Sequence, residues 1–424
     1  MRAAVFFFLL TSAISLVGAN FILPLTSKIP RRLSKTLAHP KFRNPQSVVH
    51  LDGASFDSEY LINVTVGGQL FQVILDTGSS DLWVTNSNFS CVDANHTIVP
   101  PETCQFGPAK FNSSASTTFE PASPNVTFFV QYGSGEFLRG PVGFDTLEVA
   151  GISVTGQKFG IPNLNHFLGD NVSEGVFGLA YPGLTSVYNV AENGSLTQSP
   201  YTPFFFNAVE QNKLTEPSFS ISLDRASLEQ EENDPFDPKL GFFAFGTSVP
   251  VPVLNASITV PIQGYGDGFI PSDASDAQFF WYTIDIDSYI FPGSENLLTK
   301  SNNTILDTGA PMNKVPSRVA AAFNALFIPP ATLNENSRYV VECNATAPTF
   351  AVVVEGEEFT IDPRDQIISG KDADGNKVCY SGTQDGGPDV PGNHFILGDV
   401  FLHNVVTTFN PIDRTMTLTQ RAPY

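Results

Sequence analysis

The chain has 424 residues, with 22 Lys and Arg against 42 Asp and Glu for a formal charge of −20, and 42% of its residues are apolar. That length is too great for one small core and the apolar fraction is ample for two, while the acidic balance excludes binding to a nucleic-acid backbone, which Lys and Arg must neutralise. With 33 Gly, 32 Pro and 37 Phe against 3 Met, the composition favours strands and tight turns over long helices, an all-β protein suited to acid.

Charge sets the N-terminus apart. No acidic residue precedes Asp52, yet Arg2, Lys28, Arg31, Arg32, Lys35, Lys41 and Arg43 all do. Arg2, an apolar run over 3–10 and the small residues Val17-Gly18-Ala19 read as a secretory signal, residues 1–19, cleaved after Ala19; a membrane anchor is the competing reading. Residues 20–50 are basic and proline-punctuated. They read as a propeptide held on the acidic body by ion pairs that fail as carboxylates protonate, hence as an intramolecular inhibitor, with a flexible leader as the alternative. No later segment is long and apolar enough to span a bilayer, and Tyr424 ends the chain without a lipid-anchor tail. The expected product is secreted, extracellular, free of the membrane once the signal is removed, and monomeric.

Next in the chain, an apolar strand runs into Asp76-Thr77-Gly78 (FQVILDTG). Cys91 and Cys104 follow, then Tyr132-Gly133-Ser134-Gly135, whose glycines suit a mobile hairpin tip, then Val176-Phe177-Gly178. An acidic stretch over 224–238 is expected near a lobe junction. A second apolar strand runs into Asp307-Thr308-Gly309 (NTILDTG), and residues 317–327 read as an amphipathic packing helix with Val319, Phe323 and Leu326 at helical spacing. Cys343, Cys379 and Ile396-Leu397-Gly398 complete the series. The two Asp-Thr-Gly elements stand 231 residues apart, and each has two apolar residues and a glycine downstream, that glycine 102 or 91 positions after the aspartate. One architecture used twice follows: an N-terminal β lobe over 51–223 and a C-terminal β lobe over 224–424.

Two such lobes meeting along a pseudo-dyad bring two carboxyls face to face, where one proton is shared because both cannot ionise cheaply. The pair then offers a general base to a bound water and a general acid to a departing amide nitrogen, in acid and without a metal. Gly78 and Gly309 allow the tight turn that brings N–H groups to each carboxylate, and Thr77 and Thr308 can hydrogen-bond across the junction. A plain turn after a strand is the bland alternative, and the duplication argues against it.

Four cysteines allow three pairings, of which the local ones, Cys91 with Cys104 and Cys343 with Cys379, are favoured. The shorter loop is worth about 3 kcal/mol in the chain-entropy account. No Cys-x-x-Cys spacing occurs and the six His are scattered, so no metal and no cofactor are expected. Asn63, Asn88, Asn95, Asn112, Asn125, Asn171, Asn193, Asn255, Asn302 and Asn344 stand in Asn-x-Ser/Thr sequons and read as glycan acceptors.

The chain from about residue 58 to its end resembles the pepsin-like aspartic endopeptidases of secreted, fungal type. The resemblance rests on residues 76–84 (DTGSSDLWV), Tyr132-Gly133-Ser134-Gly135, residues 175–180 (GVFGLA), Asp307-Thr308-Gly309-Ala310 and residues 395–402 (FILGDVFL), in that order. It implies a bilobal fold with a central cleft, hydrolysis of internal bonds in protein and peptide substrates, and removal of a propeptide on acidification. Asp76 and Asp307 would form the catalytic dyad, supported by Thr77, Gly78, Ser79, Thr308 and Gly309. Tyr132, Gly133 and Ser134 would belong to a hairpin flap over the substrate, with Trp83 bonded to and packed on Tyr132.

Two departures matter. Ala310 stands where the family commonly has a hydroxyl that bonds the outer carboxylate oxygen, which predicts a less extreme acid limb of activity. Ser134 stands where some fungal members carry an Asp that accepts a basic side chain, so large apolar residues are expected at the cleavage site, with Phe137 and Leu138 as apolar wall and Glu136 as a possible acceptor for Lys. Residues 372–376 do not complete a calcium loop, and the glycine-rich run over 264–268 lacks the setting of a dinucleotide site. The rival reading, prompted by the run from Ala310 to Lys314, is a catalytically inactive binding or inhibitor protein on the same fold.

Overall fold

A computed structural model of the chain describes residues 48–54, 59–225, 236–266, 277–297, 300–371 and 377–424. The expected signal peptide, the propeptide as far as residue 47, residues 226–235 of the acidic stretch, residues 267–268 of the glycine-rich run and residues 372–376 lie outside the described residues.

Alternating β-branched and aromatic residues form the first hairpin, Glu59–Val66 against Gln69–Asp76. It turns at Gly67-Gly68, both at positive φ (55° and 79°), as a two-residue hairpin loop requires. From this hairpin a 13-stranded sheet runs in both directions. One way it continues through Gly175–Gly178, Leu82–Val84, Ile152–Gly160 and Val142–Val149. The other way it passes through Val48–Ala54, Asp237–Phe245, Phe219–Leu223, Val405–Asn410, Thr415–Arg421 and Val253–Pro261. A separate five-stranded sheet orders Thr283–Ile286, Ser301–Leu306, Phe395–Leu397, Asn313–Val315 and Thr383–Asp385. The architecture is bilobal and nearly all-β.

The long sheet joins the lobes, so the chain has no clean break at 223/224. Phe219–Leu223 pairs with Asp237–Phe245 on one side and with Val405–Asn410 on the other. The strand Val48–Ala54 likewise pairs from Val48 opposite Ala244 onward, so residues 48–50, at the end of the expected propeptide, are part of the sheet.

Phenylalanine fills the seam beneath. Phe219 stacks on Phe409 with centroids 4.8 Å apart, Tyr282 lies 4.6 Å from Phe409, and Phe243 meets Phe245 edge-on at 4.7 Å. Each such pair contributes about 0.5–1.5 kcal/mol beyond its buried area. The Tyr282 hydroxyl donates to the Leu179 carbonyl at 2.5 Å, carrying the seam from one lobe into the other.

Both expected disulfides are present, Cys91–Cys104 and Cys343–Cys379, with Cα atoms 5.8 and 5.1 Å apart. The expected helix over 317–327 is shorter, Ser317–Asn324, with Val319 and Phe323 buried. Pro329 and Pro330 follow closely and disfavour helical backbone ahead of them, and the Leu326 N–H reaches back only to the Phe323 carbonyl in a tighter turn.

Candidate active site

Each Asp-Thr-Gly closes a strand whose neighbour is the apolar-glycine strand found downstream in the sequence. Gln69–Asp76 runs parallel to Gly175–Gly178 with Asp76 opposite Gly178, and Ser301–Leu306 runs parallel to Phe395–Leu397. That middle strand also pairs antiparallel with the segment after the loop, Leu82–Val84 in one lobe and Asn313–Val315 in the other. The chain must therefore cross over the middle strand directly after each aspartate. A Cβ on Gly178 would sit 2.6 Å from the Asp81 nitrogen, and one on Gly398 would collide with the Ala310 carbonyl oxygen, so only glycine lets the loop pass.

The loops bring the two carboxyls together. A Cβ on Gly78 would lie 2.5 Å from Oδ1 of Asp307, and one on Gly309 would lie 2.7 Å from Oδ1 of Asp76. Each glycine makes room for the opposing carboxyl, a reason for glycine that the turn alone does not give. Oδ1 of Asp76 accepts the Gly78 N–H at 2.7 Å, and Oδ1 of Asp307 accepts the Gly309 N–H at 2.9 Å. Behind them the lobes are latched. The Thr77 N–H donates to Thr308 Oγ1 and the Thr308 N–H to Thr77 Oγ1, both at 3.0 Å, while the two hydroxyls donate to the Leu306 and Leu75 carbonyls at 2.9 and 2.7 Å.

The pair is not electrostatically symmetric. Burial raises both carboxyls above their ordinary range, and for Asp76 the Ser79 hydroxyl and the Gly78 N–H pull back down. Asp307 is pushed well up, by burial and then by the charge of Asp76, against the Gly309 N–H and the more distant Lys314. The methyl of buried Ala310 offers no donor in the place corresponding to Ser79. A proton shared by the pair is therefore held more tightly on the Asp307 side, although the two groups titrate as one unit. Such a pair can take a proton from a water and give one to an amide in a single site.

A hairpin brings Tyr132 within electrostatic reach of Asp76, whose charge adds to burial in raising the phenol. Val126–Gln131 pairs with Phe137–Gly140, and the tip turns through Gly135 at φ +92°. Tyr132 at its root accepts the Trp83 indole N–H at 2.8 Å, and Trp83 is buried. Trp83 in turn meets Phe106 and Phe167 edge-on at 6.2 and 5.6 Å, and those two rings stack at 5.2 Å.

Other expected residues lie elsewhere. Leu138 is fully buried in the cluster that contains Trp83, and Phe137 is buried against His96 and His166 at 4.5 and 5.3 Å, so both are taken up by packing within the lobe and offer little surface to a substrate. Glu136 is buried and accepts hydrogen bonds from Ser134 and Leu168, so it does not present a carboxylate for a lysine. Asp81, not singled out from the sequence, accepts the Ser186 N–H and the Tyr201 hydroxyl and is pushed up to about 6 by burial. Its place in DTGSSD was the available signal, but its partners lie more than 100 residues away. All ten sequon asparagines are exposed. Among the described residues no group of three or more His, Cys, Asp or Glu could hold a metal ion, and no helix is long and apolar enough to cross a membrane.

Comparison with known proteins points the same way. The family model for eukaryotic aspartyl protease matches residues 59–421. A probable aspartic-type endopeptidase of Aspergillus fumigatus is 35% identical over 364 residues, 83% of this chain and 76% of the relative. Pepsin A of Sus scrofa is 28% identical over 366 residues, 84% and 79% of the two chains. The crystal structure of an aspartic proteinase from Irpex lacteus superposes with a TM-score of 0.65 at 18% identity, covering 88% of this chain and 97% of that one.

Proposed function

Since this chain belongs to the eukaryotic aspartyl protease family and is an aspartic-type endopeptidase, we propose that Asp76 and Asp307 are its catalytic dyad and that it acts in acid as a secreted enzyme. The observation that carries the assignment is the mutual approach of the two carboxyls over Gly78 and Gly309. With Asp76 ionised and Asp307 protonated, a water held between them gives a proton to the carboxylate as its oxygen attacks the peptide carbonyl carbon. The proton of the other carboxyl passes to the carbonyl oxygen, leaving a neutral tetrahedral diol. Collapse of the diol breaks the C–N bond as the nitrogen takes a proton from the dyad, and a diol hydroxyl returns one, so the pair ends with the single proton it began with.

Tyr132 and the hairpin tip act as a flap that closes over the substrate and excludes water. The hairpin tip carries Ser134, and the carboxyl beside it, Glu136, is buried and already hydrogen-bonded, so it offers no acid to a basic side chain, which supports a preference for large apolar side chains at the cleavage site. The exposure of all ten sequons and the two disulfides support an extracellular, glycosylated product. The basic segment over 20–50 would inhibit the unprocessed form near neutral pH and leave on acidification.

The test is cleavage of a denatured protein substrate by acid-treated product between about pH 2 and 7, beside Asp76→Asn and Asp307→Asn variants. Activity in acid that both variants abolish is expected. A folded, propeptide-free protein with no activity at any pH would make the chain a binding protein on a protease fold.

A further inference from the structure

The flap tip is fastened from inside by a side chain that the catalytic reading does not use. Glu136 is 4% exposed, although it sits directly after the glycine at the turn. Its Oε2 accepts the Ser134 hydroxyl at 2.7 Å, and its Oε1 accepts the Leu168 N–H at 2.6 Å. Its backbone closes the same turn, with the Tyr132 N–H donating to the Glu136 carbonyl at 2.8 Å and the Gly135 N–H to the Tyr132 carbonyl at 3.0 Å. One residue thus touches the tip, the residue that carries the phenol, and a loop of the lobe body.

That loop is itself anchored. Immediately after Leu168, the Gly169 N–H donates to the Cys104 carbonyl at 3.2 Å and the Asn171 N–H to the Gln105 carbonyl at 2.5 Å, and Cys104 is held by its disulfide to Cys91. A continuous path therefore leads from Ser134 through Glu136 and Leu168 to the disulfide-bounded excursion. A tip rich in glycine needs such a tether, because Gly133 and Gly135 place no side chains that could hold it.

We propose that Glu136 is a positioning residue that pins the flap tip to the loop at Leu168 and so holds Tyr132 over the substrate, an inference that rests on the flap reading given above. The tether works in either protonation state. As a carboxylate Glu136 accepts both bonds; protonated, it donates to Ser134 Oγ through Oε2 and still accepts the Leu168 N–H through Oε1, because the serine hydroxyl can turn to suit. Burial raises its ionisation, the Leu168 and Ser134 bonds and the imidazole of His166 lower it, and Glu59 and Asp170 lie in the same buried neighbourhood. The neutral form is accordingly the one populated at low pH, and glutamine is its isostere.

The experiment compares wild type with Glu136→Ala, Glu136→Gln and Ser134→Ala, using steady-state kinetics on one peptide across the acid range and hydrogen exchange at the Tyr132 and Leu168 amides. Glu136→Ala is expected to lose roughly ten- to thirtyfold in kcat/KM, with most of the change in KM, and to lose protection at both amides. Glu136→Gln should retain activity within about threefold in acid and keep the protection, and Ser134→Ala should fall between. Full protection and unchanged kinetics in a folded Glu136→Ala protein would overturn the proposal, as would a Gln variant as impaired as Ala. Exchange is read without turnover. An inactive wild type whose amides are released by Glu136→Ala would therefore defeat the proposed function and leave the tether standing.

Discussion

Thr77 and Thr308 exchange backbone-to-hydroxyl hydrogen bonds, each N–H donating to the other's Oγ1 at 3.0 Å, across the boundary between the lobes. Both residues are buried, and each hydroxyl also donates to the strand that ends in the opposite aspartate. The separation of the two carboxyls is therefore set by four hydrogen bonds one residue away from them.

Thr77→Val removes one hydroxyl and leaves the Thr308 N–H and the Leu306 carbonyl buried without it. Two unsatisfied groups at about 1–3 kcal/mol each predict a loss of roughly 2–6 kcal/mol in stability. Denaturant unfolding checks this, and kcat should fall in the same variant because the dyad spacing is no longer held. Thr77→Ser, which keeps the hydroxyl, should stay near wild type in both.

The asymmetry of the dyad sets the direction of two pH shifts. Ser79 donates to Asp76 and favours its ionised form, so Ser79→Ala should raise the Asp76 ionisation and move the acid limb of the kcat/KM profile upward. Ala310→Ser adds a donor beside Asp307, the side that holds the shared proton, and should lower the alkaline limb. The sequence alone placed the effect of Ala310 on the acid limb. The different expectation follows from the asymmetry of the pair: Asp76 has a hydroxyl donor in Ser79 and Asp307 has none at Ala310, so a donor added there bears on the carboxyl that is pushed higher. Profiles measured on one substrate separate the two cases, and an unmoved alkaline limb in Ala310→Ser would reject this assignment.

Trp83→Phe deletes the N–H that Tyr132 accepts at 2.8 Å while keeping an aromatic ring in the cluster. A loss of about 1 kcal/mol, near fivefold in kcat/KM, is expected, and stability should change little by comparison. Steady-state kinetics together with a thermal melt distinguish flap support from a general packing defect.

A second buried network ties Arg225, at the middle of the chain, to Asp365, His403 and Asn404. Asp365 accepts Arg225 Nε and Nη2 at 2.5 and 2.7 Å, Asn404 Nδ2 at 2.7 Å, and lies 3.2 Å from His403 Nδ1. Burial would raise this carboxyl, but the Arg225 guanidinium prevails and holds it well below the usual carboxylate range. Asp365→Ala strands a buried guanidinium and should cost about 3–5 kcal/mol. The sign with pH follows from the depressed ionisation: the carboxylate's contribution is full above the unfolded value near pH 4 and is lost only as pH falls toward the lower folded value. Unfolding of wild type and Asp365→Asn at pH 6 and pH 3 should show the gap between them narrowing at the lower pH.

Much of the site was legible along the chain because its parts are local. The Asp-Thr-Gly loops follow their apolar strands directly, the apolar-glycine pairs recur at matching offsets, and Tyr132 precedes its own glycine-rich tip. The reading of Glu136, Phe137 and Leu138 as cleft residues went wrong for the opposite reason. A strand alternates its side chains, but which face meets the core depends on what packs there, and Leu168, His96 and His166 are remote in sequence from any pattern the hairpin carries.

The sequence by itself determined the duplicated β architecture and its two Asp-Thr-Gly loops and favoured the two local disulfides, since each is written in short-range spacing and residue chemistry. Only the tertiary structure decided that one sheet joins the lobes through Phe219–Leu223 and Asp237–Phe245, that Gly78 and Gly309 make room for the opposing carboxyls, and that Glu136 turns inward to Ser134 and Leu168. These are contacts between segments tens to hundreds of residues apart. They are set by which faces can be buried together and which buried polar groups find partners, a choice made by packing in three dimensions and not by the order of residues along the chain.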